Sequence, residues 1–153
     1  MQIRKIVSAD LPQLLELARE VREHHREVLN GYFTPQDDNM EARCIAAWME
    51  NDDNVCLCAE ESGKVLGMIL GESKNNSWLE KSKVIVIHNF GVVASARGQG
   101  VGKKLMDAFY LQCKSKGIQE IKFGVFNKNK TAYDFYIHYG FEPQEQKMSM
   151  MVK

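Results

Sequence analysis

The most constraining feature of this chain lies between residues 83 and 116, where a strand-like run becomes a helix through a cluster of glycines. Residues 83–93 are apolar and largely β-branched, the composition of a buried strand. Arg97-Gly98-Gln99-Gly100-Val101-Gly102-Lys103 follows, and from there Val101, Leu105, Ala108, Phe109 and Gln112 or Cys113 recur at helical spacing. The spacing predicts a helix over residues 97–116, closed by Gly117. The first amides of such a helix have no internal partner, and its dipole adds about half a positive charge there. Glycines let the backbone approach a ligand closely, and Arg97 and Lys103 add full charges. The junction is therefore suited to a pyrophosphate.

Two familiar phosphate loops do not fit it. A Walker A loop, G-x-x-x-x-G-K-[ST], needs glycine where Arg97 stands and a hydroxyl where Lys104 stands. Gly98, Gly100 and Gly102 are spaced G-x-G-x-G, not the G-x-G-x-x-G of a dinucleotide fingerprint, which also belongs after a first strand. Arg97, Gly100 and Gly102 do fit a third pattern, Arg/Gln-x-x-Gly-x-Gly/Ala.

The remaining elements follow from periodicity. Residues 2–7 read as a short strand. Asp10 is placed to cap a helix, with Gln13 three residues on, and Leu11, Leu14, Leu15, Ala18, Val21 and Val28 carry that helix to about Leu29. Thr34-Pro35 opens a second helix, buried along Met40, Cys44, Ala47 and Trp48. Residues 55–60 and 65–71 read as a hairpin turning at Glu61-Ser62-Gly63-Lys64, and residues 72–82 as a polar loop. A strand over 120–126, a helix over 129–139 ended by Gly140 and a strand over 148–152 complete the pattern. The order β-α-α-β-β-β-α-β-α-β implies a mixed α/β domain over residues 1–153, one sheet with helices on both faces.

Composition narrows the function. The 20 basic and 20 acidic side chains cancel, leaving no electrostatic footprint for nucleic acid or an anionic membrane. No window approaches the roughly 18 apolar residues of a membrane span, and no signal-type stretch follows Met1, so the expected location is cytoplasmic. Cys44, Cys56, Cys58 and Cys113 show neither C-x-x-C nor paired Cys/His spacing. No metal is expected, and the thiols read as reduced, small apolar residues.

A second motif accompanies the glycine loop. Asn129-Lys130-Thr131-Ala132, followed by Phe135-Tyr136-Ile137-His138-Tyr139-Gly140-Phe141, resembles N-x-x-A-x-x-[FL]-Y-x-x-x-G-F, a signature of the GNAT acetyltransferases. The loop at Arg97, Gly100 and Gly102 is similar to that family's acetyl-CoA pyrophosphate loop, and the order of elements resembles its minimal domain over essentially the whole chain. Ala94 departs from a proline frequent there, which touches the turn more than the chemistry.

The resemblance implies a GNAT fold, a central twisted sheet of about six to seven strands flanked by about four helices, with acetyl-CoA as cofactor. The pyrophosphate would lie on Arg97, Gly98, Gln99, Gly100, Val101, Gly102 and Lys103. The pantetheine arm would lie in a gap between two strands, pairing with backbone around Gly91, Val92 and Val93, where N–H groups would also hold the developing oxyanion. Tyr136 matches the tyrosine placed near the coenzyme sulfur, where a phenol can protonate the departing thiolate; it could equally pack beside Tyr133, Phe135 and Tyr139. Asn129 would contact the pantetheine or cap its helix.

An amine with a pKa of about 10 is mostly protonated at neutral pH, so the reaction needs a base. His88 is the first candidate, on the long strand where some family members carry a catalytic histidine; alternation puts it on one face with Phe90 and Val92. Glu20, His24 and His25 come next, and Tyr32, Phe33 and Trp78 are candidate pocket walls. The implied activity is direct N-acetyl transfer to a primary amine of a small molecule, peptide or protein. Cys113, inside a helix with no adjacent histidine, gives no support to a covalent route. The alternatives are a non-catalytic CoA-binding regulatory module of the same fold and an NTP-binding protein, the latter disfavoured by the Walker spacing. A homodimer joined through a sheet edge or the C-terminal strand, at Met148, Met150 and Met151, completes the expectations.

Overall fold

A computed structural model describes residues 1–75, 83–150 and 152. Five strands form one sheet in chain order: β1 (Gln2–Lys5), β2 (Val55–Glu61), β3 (Lys64–Asn75), β4 (Lys83–Val92) and β5 (Glu120–Lys122). The first four are antiparallel, and β5 runs parallel to β4. Helices α1 (Leu11–Val28) and α2 (Asp38–Glu50) precede β2, α3 (Val101–Ser115) joins β4 to β5, and α4 (Lys130–Tyr139) follows. Among the described residues no helix is long and apolar enough to cross a membrane.

Strand alternation sorts the core into two layers. Leu57, Ile69 and Ile85 pack with Leu105 and Phe109 of α3, while Cys58, Met68 and Leu70 pack with Leu14 and Leu17 of α1 and Ile45 of α2. Each such side chain, fully buried, contributes about 1.5–3 kcal/mol. All four thiols are free, and burial pushes those of Cys56 and Cys58 up to about 11.

Several boundaries differ from the sequence reading, each for a physical reason. Helix α2 starts at Asp38, past Thr34-Pro35, because the Asp37 carboxylate accepts the Asn39 and Met40 N–H groups at 3.0 and 3.1 Å. Strand β3 runs on to Asn75, paired with Lys83, so Glu72 stands in the sheet and not in a loop. Strand β5 has three residues where 120–126 were expected, and residues 141–150 have no regular structure. The expected strand over 148–152 is therefore absent among the described residues, with Met148 and Met150 fully exposed and Met151 outside them. Among the described residues the sheet has five strands, not six to seven.

Asp10 is not a side-chain cap either. Its carboxylate receives both Arg4 Nη groups at 2.7 and 2.8 Å and the Val7 N–H at 2.9 Å, a charge-assisted set that outweighs one helix amide. The Arg4 hydrogen bonds hold the Asp10 carboxyl below its ordinary pKa. A depressed value in the folded state means the stabilisation is present above the unfolded value and lost as pH falls through the folded one. Asp10→Asn, which leaves Arg4 only the longer pairing with Glu60 at 3.7 Å, should cost about 2 kcal/mol at neutral pH. Denaturant unfolding at pH 7 and in acid checks this: the gap between the two proteins should close in acid.

Candidate active site

The site begins with an irregularity in β4. Leu70 pairs with Asn89 but Gly71 with Ile87, so His88 is an extra residue, a β-bulge. The bulge changes which side chains face α3. Ile85 and Ile87 do so before it, Phe90 and Val92 after it, and His88 turns to the opposite layer. The expectation that His88 shares a face with Phe90 and Val92 fails, because strict alternation does not survive the inserted residue. His88 instead stacks on Trp48 of α2, centroids 4.7 Å apart and planes within 8°, and its Nε2 lies 2.7 Å from Glu72 Oε2. That hydrogen bond is the main cause lowering the Glu72 pKa.

β4 meets β5 only through Val84, Ile85 and Val86. Beyond them the strands part and a cleft of about 1110 Å³ opens, walled by the end of β4, the glycine loop, α1, α4 and residues 123–126. Helix α1 can sit this close because residue 91 is glycine; a Cβ there would run into Val21. The Val93 N–H donates to Leu66 O at 2.9 Å. By antiparallel alternation Gly91 also faces β3, which leaves the N–H groups of Phe90 and Val92 directed at the cleft. Of Gly91, Val92 and Val93, only Val92 turns its N–H that way.

Gly98 and Gly100 adopt φ of 74° and 77°, the left-handed region that side chains strain to enter. The loop then enters α3 with its amides outward. Among the described residues the N–H groups of residues 98–103 find no acceptor in the chain, and the first that does is Lys104, bonded to Gly100 O at 3.1 Å. Arg97 donates from Nε to Val92 O at 3.0 Å and from Nη2 to Glu20 Oε1 at 2.6 Å, and Glu20 also accepts the Ala94 N–H at 2.9 Å. Glu20 thus ties the loop to α1 and is not a wall of the cleft, unlike His24, His25 and Phe33, which are. Lys103 pairs with Asp107 at 2.7 Å.

Across the cleft, α4 brings Tyr136 to the same space. Its ring is buried against Phe123, centroids 3.8 Å apart, and burial raises the hydroxyl's pKa above that of an ordinary phenol. Among the described residues that hydroxyl makes no hydrogen bond, whereas Tyr139 donates to Asp107 Oδ1 at 2.9 Å. Asn129 is the cap of α4, its Oδ1 accepting the Ala132 N–H at 3.2 Å. Tyr32, Phe33 and Phe126 form an aromatic group with centroids 5.2 to 5.5 Å apart. Trp78 lies outside the described residues. Glu72, Arg22 and Glu41 escape sequence reading, since only the fold brings them beside His88 and the cleft.

The sequence profile of the acetyltransferase (GNAT) family matches residues 14–141, and the chain belongs to that family. The chain is 29% identical over 144 residues to an uncharacterized N-acetyltransferase of Methanocaldococcus jannaschii, covering 94% of this chain and 61% of that protein. It thus spans about three fifths of that relative's length. Among solved structures, a mutant of the BH1408 protein from Bacillus halodurans superposes with a TM-score of 0.90 at 21% identity, over 100% of both chains. The apo aminoglycoside 6'-N-acetyltransferase of Acinetobacter haemolyticus does so at 0.78 and 16%, over 100% of this chain and 99% of the other. These last two likenesses bear on the fold. The family takes its acetyl group from acetyl-CoA. The residues here fit that donor: unpaired amides at a helix entry for its pyrophosphate, and a strand edge with free N–H groups for its arm.

Proposed function

We propose that the chain is an N-acetyltransferase that moves the acetyl group of acetyl-CoA to a primary amine by direct attack. The observation that carries this reading is the set of unpaired amides at Gly98 and residues 100–103 on the same cleft as Tyr136 and His88. Acetyl-CoA supplies a thioester whose carbonyl carbon an amine can attack. The carbon–nitrogen bond forms as the carbon–sulfur bond breaks. The Val92 N–H stabilises negative charge growing on the carbonyl oxygen. His88, oriented by Glu72 and Trp48, takes the proton from the amine. Tyr136, kept protonated by burial, gives one to the sulfur.

Thiol release from acetyl-CoA in the presence of an amine panel tests the activity, with the acetylated amine identified by mass. Tyr136→Phe separates the leaving-group role from simple packing, since phenylalanine keeps the ring stack. A thiol with a pKa of about 8.5 leaves fairly well unaided, so the expected loss in kcat is about tenfold, with acetyl-CoA affinity unchanged. Unchanged turnover returns Tyr136 to a packing role.

A further inference from the structure

The end of the cleft formed by α1, α2 and β4 holds one guanidinium, Arg22. Arg22, His24 and His25 of α1 and His88 of β4 line it, against one carboxylate, Glu41 of α2. Glu72 stands behind His88 and is already bonded to it and, at 3.2 Å, to Lys74. Burial first, then His24 and Arg22, lowers the His25 pKa, so Arg22 is the cation a ligand meets there.

Arg22 differs from the other part-buried arginines. Arg4 and Arg26 each hold a carboxylate through short hydrogen bonds. The Arg22 side chain is 27% exposed, sits 3.6 Å from Glu41 and 5.9 Å over the Phe33 ring, and donates no hydrogen bond among the described residues. Glu41 is shared, its other oxygen lying 3.4 Å from Asn89 Nδ2. A guanidinium carries five fixed donors and a charge it cannot release, and Glu41 at 3.6 Å takes none of them at hydrogen-bond distance, so they face the cleft available to a ligand.

We infer that the acceptor is an amine that also bears a carboxylate, held at the Arg22 guanidinium while its amino group lies toward His88 and the edge of β4. The inference rests on the transferase reading and adds the acceptor's chemical class. A carboxylate matches the guanidinium fork in two parallel hydrogen bonds, which a lysine cannot offer. Phe33 walls one side, and Glu41 steers the guanidinium.

The test is a series of straight-chain amino acids of increasing length, each compared with its carboxamide and with the alkylamine lacking the carboxylate. Thiol release gives kcat/KM, and the acetyl-CoA melting shift checks the coenzyme site. At the best length the acid should exceed its carboxamide by about tenfold or more, the worth of a charge-assisted pair. Arg22→Ala should erase that preference with the melting shift intact, and Arg22→Lys should restore part of it. Equal turnover of acid and carboxamide by the wild type, or a preference that survives Arg22→Ala, overturns the inference and leaves the transferase reading standing. Thiol release that no amine in the series raises overturns the transferase reading, and the acceptor assignment with it.

Discussion

Gly100→Val should abolish the rise in melting temperature that acetyl-CoA gives the wild-type protein. A ligand bound only by the native state stabilises it by about 2.7 kcal/mol at a hundredfold excess over its Kd, a shift easily read. Gly100 has a φ of 77°, and no neighbouring atom lies within 4 Å of the Cβ it lacks. Valine would therefore not clash with the fold. It would strain the turn and swing the outward amides of residues 98–103 away from one another, because a β-branched residue resists that φ. Strain of this kind costs on the order of 1–3 kcal/mol, so the unliganded variant melts somewhat lower but cooperatively. Coenzyme affinity should fall by at least about a hundredfold, since the amides act on the pyrophosphate together. A full shift in a folded Gly100→Val protein sinks the loop assignment.

The second large effect belongs to His88→Gln. An amine with a pKa of about 10 is protonated roughly a thousand times out of a thousand and one at pH 7, so the base governs the reaction more than the acid does. Glutamine keeps a hydrogen-bond donor toward Glu72 and a flat group over Trp48 but accepts no proton. Turnover should fall by about a hundredfold with coenzyme binding unchanged. The wild-type profile of kcat/KM against pH should contain one ionisation that stays in place when the acceptor is exchanged for an amine of lower pKa, and that ionisation should vanish in the variant. If the variant keeps the wild-type profile, His88 is structural. His24 and His25 then become the bases to test, since Glu20 is bound to Arg97 and Ala94.

What is legible in the sequence is what depends on consecutive residues. The positive φ of Gly98 and Gly100, the unpartnered first amides of α3, and the cap and aromatics of α4 are local properties, and the two motifs carry them. The orientation of His88 is not local. It follows from one extra residue in β4, and that residue is defined only by pairing with β3, so periodicity alone sends the ring to the wrong face. Glu72 is hidden for the same reason, since an acidic residue near polar ones reads as a loop until its partner strand is known. Met148, Met150 and Val152 alternate as a strand should, but a strand also needs an edge to pair with, and β5 is three residues long. Asp10 and Gln13 look like a helix cap; the structure commits Asp10 to Arg4, and Gln13 to the Val65 N–H at 2.9 Å.

On this reading one cleft both binds acetyl-CoA and passes its acetyl group to an amine. The most direct measurement mixes the protein with acetyl-CoA carrying a labelled acetyl group and a mixture of primary amines, then follows free thiol and labelled product together. Thiol and N-acetylated amine should appear in a one-to-one ratio, with no label left on the protein and no release in Gly100→Val. Acetyl-CoA that binds, as read by the melting shift, but yields no labelled amine would contradict it and leave a coenzyme-binding module without transferase activity.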